Sequence, residues 1–169
     1  MEYRFLDVPA EELETPFALP KPQSGGESIV FNFTKVISLS KDKHPARRKR
    51  LQKVMRTSEV TAEAAATSTS KESLNQPVAP DHVLVFMLVS EPPDDKPDLD
   101  CEDVGVAKLD LKSILDTGED FIENFVDVYS TEAQSKVSRL LNTGNKPIGT
   151  LQVTVKAIEA FKALKVIPT

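Results

Sequence analysis

Cysteine, glycine-rich loops and long apolar runs are scarce or missing in this sequence, and each absence removes a class of function. The 169 residues include one cysteine, Cys101, so no internal disulfide can form and a disulfide-rich secreted scaffold is excluded. No apolar run approaches the roughly 18 residues that a membrane span needs. The net charge of −5 gives no general attraction to nucleic acid. We therefore expect one soluble intracellular domain, residues 1–169, without a nucleic-acid partner.

Catalytic and cofactor-binding motifs are also missing. The sequence has no Gly-rich phosphate loop and no Cys/His spacing of a metal site. Acidic neighbours of Cys101 disfavour a reactive thiolate, and His44 and His82 are far apart in the sequence. Since no nucleophile is predicted beside a base, we expect no enzymatic activity, no catalytic residue and no cofactor.

What the chain does contain is a series of short β-type patterns. Val83–Val89 is continuously apolar, which predicts a strand buried on both faces. Elsewhere apolar and polar residues alternate, grouping Ile29 with Phe31 and Phe33, and Ile122 with Val126 and Val128. The six strand candidates are Tyr3–Val8, Ser28–Leu39, Val83–Val89, Val104–Leu111, Phe121–Tyr129 and Ile148–Val155. Such a set, joined by long Pro-rich loops, predicts an all-β antiparallel sandwich rather than a parallel α/β sheet, which would need helices between most strands.

Helical spacing is confined to a few short segments. They are Pro45–Met55, the turn Leu111–Leu115, Thr131–Asn142 and Ala157–Lys165. Between the first helix and the apolar strand, Arg56–Asp81 is small, polar and nearly free of large apolar residues. Such a segment cannot bury enough surface to offset its ordering entropy, so we expect residues 56–81 to be a disordered insertion within the domain.

Several stretches together resemble the C-terminal C2-type domain of the retinitis pigmentosa GTPase regulator-interacting protein family, called the RPGR-interacting domain. The run through Glu14-Thr-Pro is not a general feature of C2 domains, which makes the resemblance specific. The matching stretches cover most of the chain in the same order. They are EYRFLDVPAEELETPFALPKP (2–22), SIVFNFTKVISL (28–39), HPARRKRL (44–51), LVFMLVSEPPDD (84–95), CEDVGVAKLDLKSIL (101–115) and PIGTLQVTVKA (147–157).

The resemblance implies a C2-like β-sandwich that acts as a non-enzymatic adaptor or scaffold of the primary cilium. It implies docking to the β-propeller of RPGR and to other transition-zone proteins. The implied location is cytoplasmic and cytoskeletal, at the transition zone, basal body and connecting cilium. Relatives carry another strand before the counterpart of Tyr3–Val8, and Met1 stands where that strand would end. We therefore expect a fragment or truncated form whose sandwich lacks its first strand and has an open sheet edge.

Two charged segments are candidate partner-binding sites. The first is the acidic set Glu11, Glu12 and Glu14, together with Phe17. The second is the basic set Arg47, Arg48 and Arg50 on the polar side of Pro45–Met55. Basic residues in this arrangement complement an acidic partner or anionic lipid, or form an ordinary solvated helix face.

The loop from Glu91 to Asp103 is a weak candidate for calcium. Asp94, Asp95, Asp98 and Asp100 offer carboxylate oxygens, which calcium prefers. Their spacing lacks the regular alternation of calcium-binding C2 loops, so a solvated acidic loop is favoured and no metal is expected. The alternative to the adaptor is a peripheral membrane C2 module that uses this loop with calcium, or the basic helix with anionic lipid.

Overall fold

The fold is an antiparallel sheet with short helices. The computed structural model describes residues 1–6, 8–56, 80–93, 95–96, 98–131 and 146–164. Within them lie five strands, three α-helices and one turn of 3-10 helix. In chain order these are β1 (Glu2–Arg4), the 3-10 turn (Ala10–Glu12), α1 (Pro45–Arg56), β2 (Val83–Ser90), β3 (Glu102–Asp110), α2 (Leu111–Thr117), β4 (Phe121–Ser130), β5 (Gly149–Val155) and α3 (Ile158–Ala163).

The five strands form one sheet in their sequence order, and every neighbouring pair is antiparallel. The pairing of β2 with β3 runs from Val83 opposite Asp110 to Ser90 opposite Glu102. We call the end of the strands near Ser90 and Glu102 the loop end of the sheet. The opposite end, near Asp110 where α2 begins, is the helix end. The antiparallel all-β architecture predicted from the sequence is confirmed.

The hydrophobic core lies between one face of the sheet and the helices. Leu51 and Met55 of α1 and Phe161 of α3 are buried there against Leu84 and Phe86 of β2. Each fully buried side chain of this size contributes roughly 1.5–3 kcal/mol. The core residues are Tyr3, Phe5, Leu13, Leu51, Met55, Leu84, Phe86, Ala107, Leu109, Leu111, Ile114, Val128, Ile158, Phe161 and Leu164.

Strand β2 is buried on both faces, as its apolar run predicts. Val85 and Met87 point away from the core cluster because side chains alternate along a strand, yet both are buried. Sequence-based bounds are also close for α1, β4, β5 and α3. Sequence patterning therefore identifies the main elements wherever a strong apolar signal is present.

The segment Ser28–Leu39, predicted as a strand, makes no ladder pairing in the structure. Only part of the predicted alternation is matched by burial: Phe33, Ile37 and Leu39 pack against the core, whereas Ile29, which the pattern groups with Phe33, is exposed. Asn32 has a φ of 43°, in the left-handed region, which interrupts a regular strand. The prediction of a strand is wrong here because alternating burial needs only an extended chain, not hydrogen bonds to a neighbour.

Strand β1 is shorter than the predicted Tyr3–Val8. It ends at Arg4, and Leu6 has a φ of 50°, which turns the chain away from the sheet. On its outer side, Tyr3 N–H donates to the Leu13 carbonyl (2.7 Å) and Thr15 N–H donates to the Met1 carbonyl (2.9 Å). The chain's own residues therefore pair with part of the edge that the sequence reasoning expects to be open.

Two predictions fall outside the described residues. The predicted insertion at 56–81 lies mainly on residues 57–79, and the predicted helix at Thr131–Asn142 lies, except for its first residue, within residues 132–145. The second sheet of a C2 sandwich also stays a prediction, because the described strands belong to one sheet. Helices and the extended segment 28–39 form the second layer over the core face.

Candidate partner-binding surfaces

The acidic set lies beside the edge strand β1. Glu11 and Glu12 belong to the 3-10 turn, and Glu14 forms an isolated antiparallel bridge with Glu2. All three candidate carboxylates are exposed, and Lys35 Nζ lies 3.9 Å from a carboxylate oxygen of Glu12. The structure therefore places Glu11, Glu12 and Glu14 on one short exposed stretch, which we call the acidic strip.

Thr15 fixes the chain between the acidic strip and Phe17. Its buried hydroxyl lies 2.9 Å from the Met1 amino group, which donates to it, and 3.2 Å from the Phe17 carbonyl, to which it donates. A buried hydroxyl with both donor and acceptor roles used is a stable anchor. The backbone on either side of Thr15 is thus held in one geometry.

Phe17 is the exposed end of a line of aromatic rings that reaches the core. Its side chain is 41% exposed, and its ring meets Phe33 edge-on with centroids 6.5 Å apart. Phe33 lies 6.3 Å from Tyr3, and Tyr3 lies 6.4 Å from Phe86 in β2. Such ring pairs contribute about 0.5–1.5 kcal/mol beyond their area burial. Phe17 is therefore a large apolar group, rigidly mounted next to an acidic strip.

Tyr3 has a polar atom that the core does not accommodate. Its hydroxyl is buried and has no hydrogen-bond partner within the described residues. Burial raises the pKa of the Tyr3 hydroxyl above its usual value of 10.0.

Four basic residues of α1 lie on the side of the helix that faces away from the core. Leu51 and Met55 face the core, so at 100° per residue the opposite side of the helix carries Lys49, Arg50, Lys53 and Arg56. All four of these side chains are exposed. We call this side the basic face.

Two of the predicted basic contact residues are tied to other parts of the protein. Arg48 donates to the carbonyls of Leu39 and Ala163, linking α1 to the preceding segment and to α3. Arg50 makes a bidentate pair with Asp81 through bonds of 2.6 and 2.5 Å. Arg47 also interacts within the protein. A role for Arg47, Arg48 and Arg50 in binding a partner stays a prediction.

The acidic loop lies at the loop end of the sheet. Asp95, Asp98 and Asp100 are exposed, and Asp94 lies outside the described residues. In the described part of the chain, no three His, Cys, Asp or Glu side chains are grouped as metal ligands. Calcium binding at this loop stays untested.

The residues considered for catalysis lie far apart. Cys101 is exposed at the loop end, whereas His82 lies next to β2 at the helix end, with its Nε2 3.9 Å from Asp110 Oδ1. His44 lies just before α1. The structure does not bring Cys101 together with His82.

A groove between strands β3 and β4 was not identified from the sequence. Strands β3 and β4 pair only at Gly105–Ala107 with Val128–Ser130 and then diverge. The resulting groove has a volume of about 500 Å³, and Phe125 at its wall is 60% exposed. A register shift between Phe121 and Asn124 leaves Ile122 exposed, although the alternation groups it with the inward Val126 and Val128. No residue type in this stretch signals the shift.

None of the helices in the described ranges is long and apolar enough to cross a bilayer. The family model described as "Retinitis pigmentosa G-protein regulator interacting C-terminal" matches residues 1–66 and 60–167 of the chain.

Three relatives share the name X-linked retinitis pigmentosa GTPase regulator-interacting protein 1. The proteins of Homo sapiens, Bos taurus and Mus musculus are 33%, 32% and 30% identical to this chain over 164 residues. Each alignment covers 97% of this chain and 10–11% of the relative. The chain therefore spans about a tenth of the length of these relatives.

Proposed function

Because this chain belongs to the family of retinitis pigmentosa G-protein regulator interacting C-terminal domains, we propose that it is a non-enzymatic adaptor module that binds the RPGR β-propeller. The observation that carries the proposal is similarity along 97% of the chain to proteins named for interaction with this regulator. A site of action at the ciliary transition zone and basal body, with other proteins of that region as further partners, is part of the proposal.

The acidic strip and Phe17 are the surface we propose for docking. Interface hot spots are enriched in large, rigidly held aromatic side chains. Phe17 meets this description, because Phe33 supports its ring and Thr15 holds its backbone. Charges at the rim of an interface accelerate association with an oppositely charged partner. The strip would thus steer the propeller, and Phe17 would retain it.

The test is a biosensor measurement of association with the RPGR propeller at several salt concentrations. Charge reversal by Glu11→Lys, Glu12→Lys and Glu14→Lys should slow association roughly tenfold or more at low salt, and less at high salt. The matched control reverses Asp116, Glu119 and Glu123, which lie in α2, in the turn after it and in β4 and are also exposed. Phe17→Ala should instead raise the dissociation rate roughly tenfold.

Each outcome has a distinct meaning. An unmodified chain that does not bind the propeller at all would refute the proposed function. Equal rates for the strip variant and its control would exclude the strip from the interface, while leaving propeller binding in place. Circular dichroism on each variant confirms that the fold is intact.

A further inference from the structure

Positive charge in this acidic protein is concentrated in one short segment. Residues 40–56 contain eight of the 21 Lys and Arg residues and one of the 26 Asp and Glu residues. The segment has a net charge of +7, and the rest of the chain has −12. A field of this kind is local, since charges are screened beyond about 10 Å at 0.1 M salt. An anionic surface that approaches α1 therefore meets a strongly positive region.

The structure exposes this charge instead of burying it. Lys41 and Lys43 in the turn before α1, and Lys49 on the basic face, are all exposed. Arg50, Lys53 and Arg56 on the same face also interact within the protein, so Lys41, Lys43 and Lys49 are the charges that matter most here. Lys41 and Lys43 lie near the positive end of the helix dipole, where cations are unfavourable by about 0.3–1 kcal/mol each and an anionic neighbour relieves the cost.

The chemistry of this surface fits an extended array of anions better than a specific peptide. The apolar side chains Leu51 and Met55 are committed to the core, so the basic face has no apolar anchor of its own. The three lysines are mobile point charges that do not select a bidentate geometry. Each Lys or Arg near an anionic membrane contributes about 1 kcal/mol to binding.

We propose that the basic face of α1, together with Lys41 and Lys43, binds the headgroups of an anionic membrane without calcium. This activity goes beyond the proposed binding of the RPGR propeller and uses a different surface. The acidic loop lies at the loop end of the sheet, whereas Arg50 on α1 pairs with Asp81, which precedes β2 at the helix end. This separation lets the basic face approach an anionic surface although the whole chain is acidic.

The test is sedimentation of the full chain with phosphatidylcholine vesicles that contain or lack phosphatidylserine, in the presence of a calcium chelator. We expect binding only to the phosphatidylserine vesicles, and we expect it to fall as salt rises. The variant Lys41→Gln, Lys43→Gln, Lys49→Gln should lower the partition coefficient roughly a hundredfold, from about 1 kcal/mol per lysine.

The matched control is Lys108→Gln, Lys146→Gln, Lys156→Gln, which removes three exposed lysines outside α1. It should retain vesicle binding. No binding of the unmodified chain to phosphatidylserine vesicles, or equal losses in the two variants, would overturn the proposal. So would binding to polyglutamate with none to vesicles, which would assign the face to an acidic protein. Loss of propeller binding but not vesicle binding in the Lys41, Lys43, Lys49 variant would make the face part of the propeller interface.

Discussion

At the scale of single residues, the Tyr3 side chain makes one favourable and one unfavourable contribution to the core. The Tyr3 ring is well placed between Phe33 and Phe86, but its buried hydroxyl has no partner within the described residues. A buried hydroxyl without a hydrogen bond costs about 1–3 kcal/mol relative to a satisfied one. The ring therefore stabilises the core while its oxygen opposes that contribution.

Tyr3→Phe should keep the ring contacts and remove the unsatisfied oxygen. We expect the free energy of unfolding to be unchanged or to increase by about 1 kcal/mol, which corresponds to roughly 2–4 °C in the melting temperature. Urea denaturation at neutral pH measures the difference. A loss of more than about 1 kcal/mol would mean that the hydroxyl has a stabilising partner.

The same variant makes a prediction about alkaline pH. Because burial raises the pKa of Tyr3 in the folded chain, the unfolded chain loses this proton first, above the usual value of 10.0. Ionisation of Tyr3 therefore leaves the free energy of unfolding unchanged well below pH 10, and lowers it as the pH rises from there toward the raised pKa of the folded chain. The stability advantage of Tyr3→Phe over the unmodified chain should therefore grow above pH 10.

At the scale of elements, the junction of β3 and β4 depends on a glycine. A Cβ atom on Gly105 would lie 2.8 Å from Val128 Cγ1 and 3.3 Å from the Tyr129 carbonyl oxygen. Val128 is buried in the core and has little space to move. Only a residue without a side chain allows the two strands to approach this closely.

Gly105→Ala should therefore destabilise the protein by about 1–3 kcal/mol through overpacking. The matched control is Gly149→Ala at the start of β5, where an added Cβ meets nothing within 4 Å. We expect that control to be neutral or slightly stabilising. Chemical denaturation of both variants distinguishes the two sites, and equal effects would contradict the close approach of the strands.

Sequence periodicity predicts individual elements better than the contacts between them. The apolar run of β2 and the spacing of α1 are strong local signals, and both elements occur where predicted. The segment 28–39 alternates because one side packs on the core, so its periodicity reports burial but not strand pairing. Left-handed backbone at Leu6 and Asn32 has no glycine to indicate it.

Groupings of residues close in sequence could likewise be predicted, whereas contacts between distant residues could not. Glu11, Glu12 and Glu14 are neighbours in sequence, so their grouping could be predicted. By contrast, the Asp120 carboxylate accepts from the N–H groups of Ala157 and Ile158 at the start of α3, which are 37 and 38 positions away. The contact of Phe17 with Phe33 likewise depends on the tertiary fold. Contacts between distant residues leave no periodic pattern in one sequence.

At the scale of the whole molecule, the fold brings the chain close together on either side of residues 57–79. Arg56 ends α1 less than two helical turns after Arg50, and Arg50 is held by Asp81 just before β2. The distance between the end of α1 and the start of β2 is therefore short compared with the 23 residues, 57–79, that connect Arg56 to Pro80. A flexible linker of a few residues spans such a gap.

Replacement of residues 57–79 by a short Gly/Ser linker should therefore leave the fold and propeller binding intact. The removed segment has few large apolar residues to contribute to a core, and the entropy of loop closure changes by only about 0.6 kcal/mol per doubling of length. Retaining Arg56 and Asp81 preserves the end of α1 and the ion pair with Arg50.

Thermal unfolding of the shortened chain should stay cooperative, with a melting temperature within a few degrees of the full chain, because the difference in loop length amounts to about 1–2 kcal/mol. A second variant with the same linker and Arg50→Gln separates the ion pair from the segment itself. If the first variant loses its cooperative transition, residues 57–79 pack against the domain and the prediction of a disordered insertion is wrong.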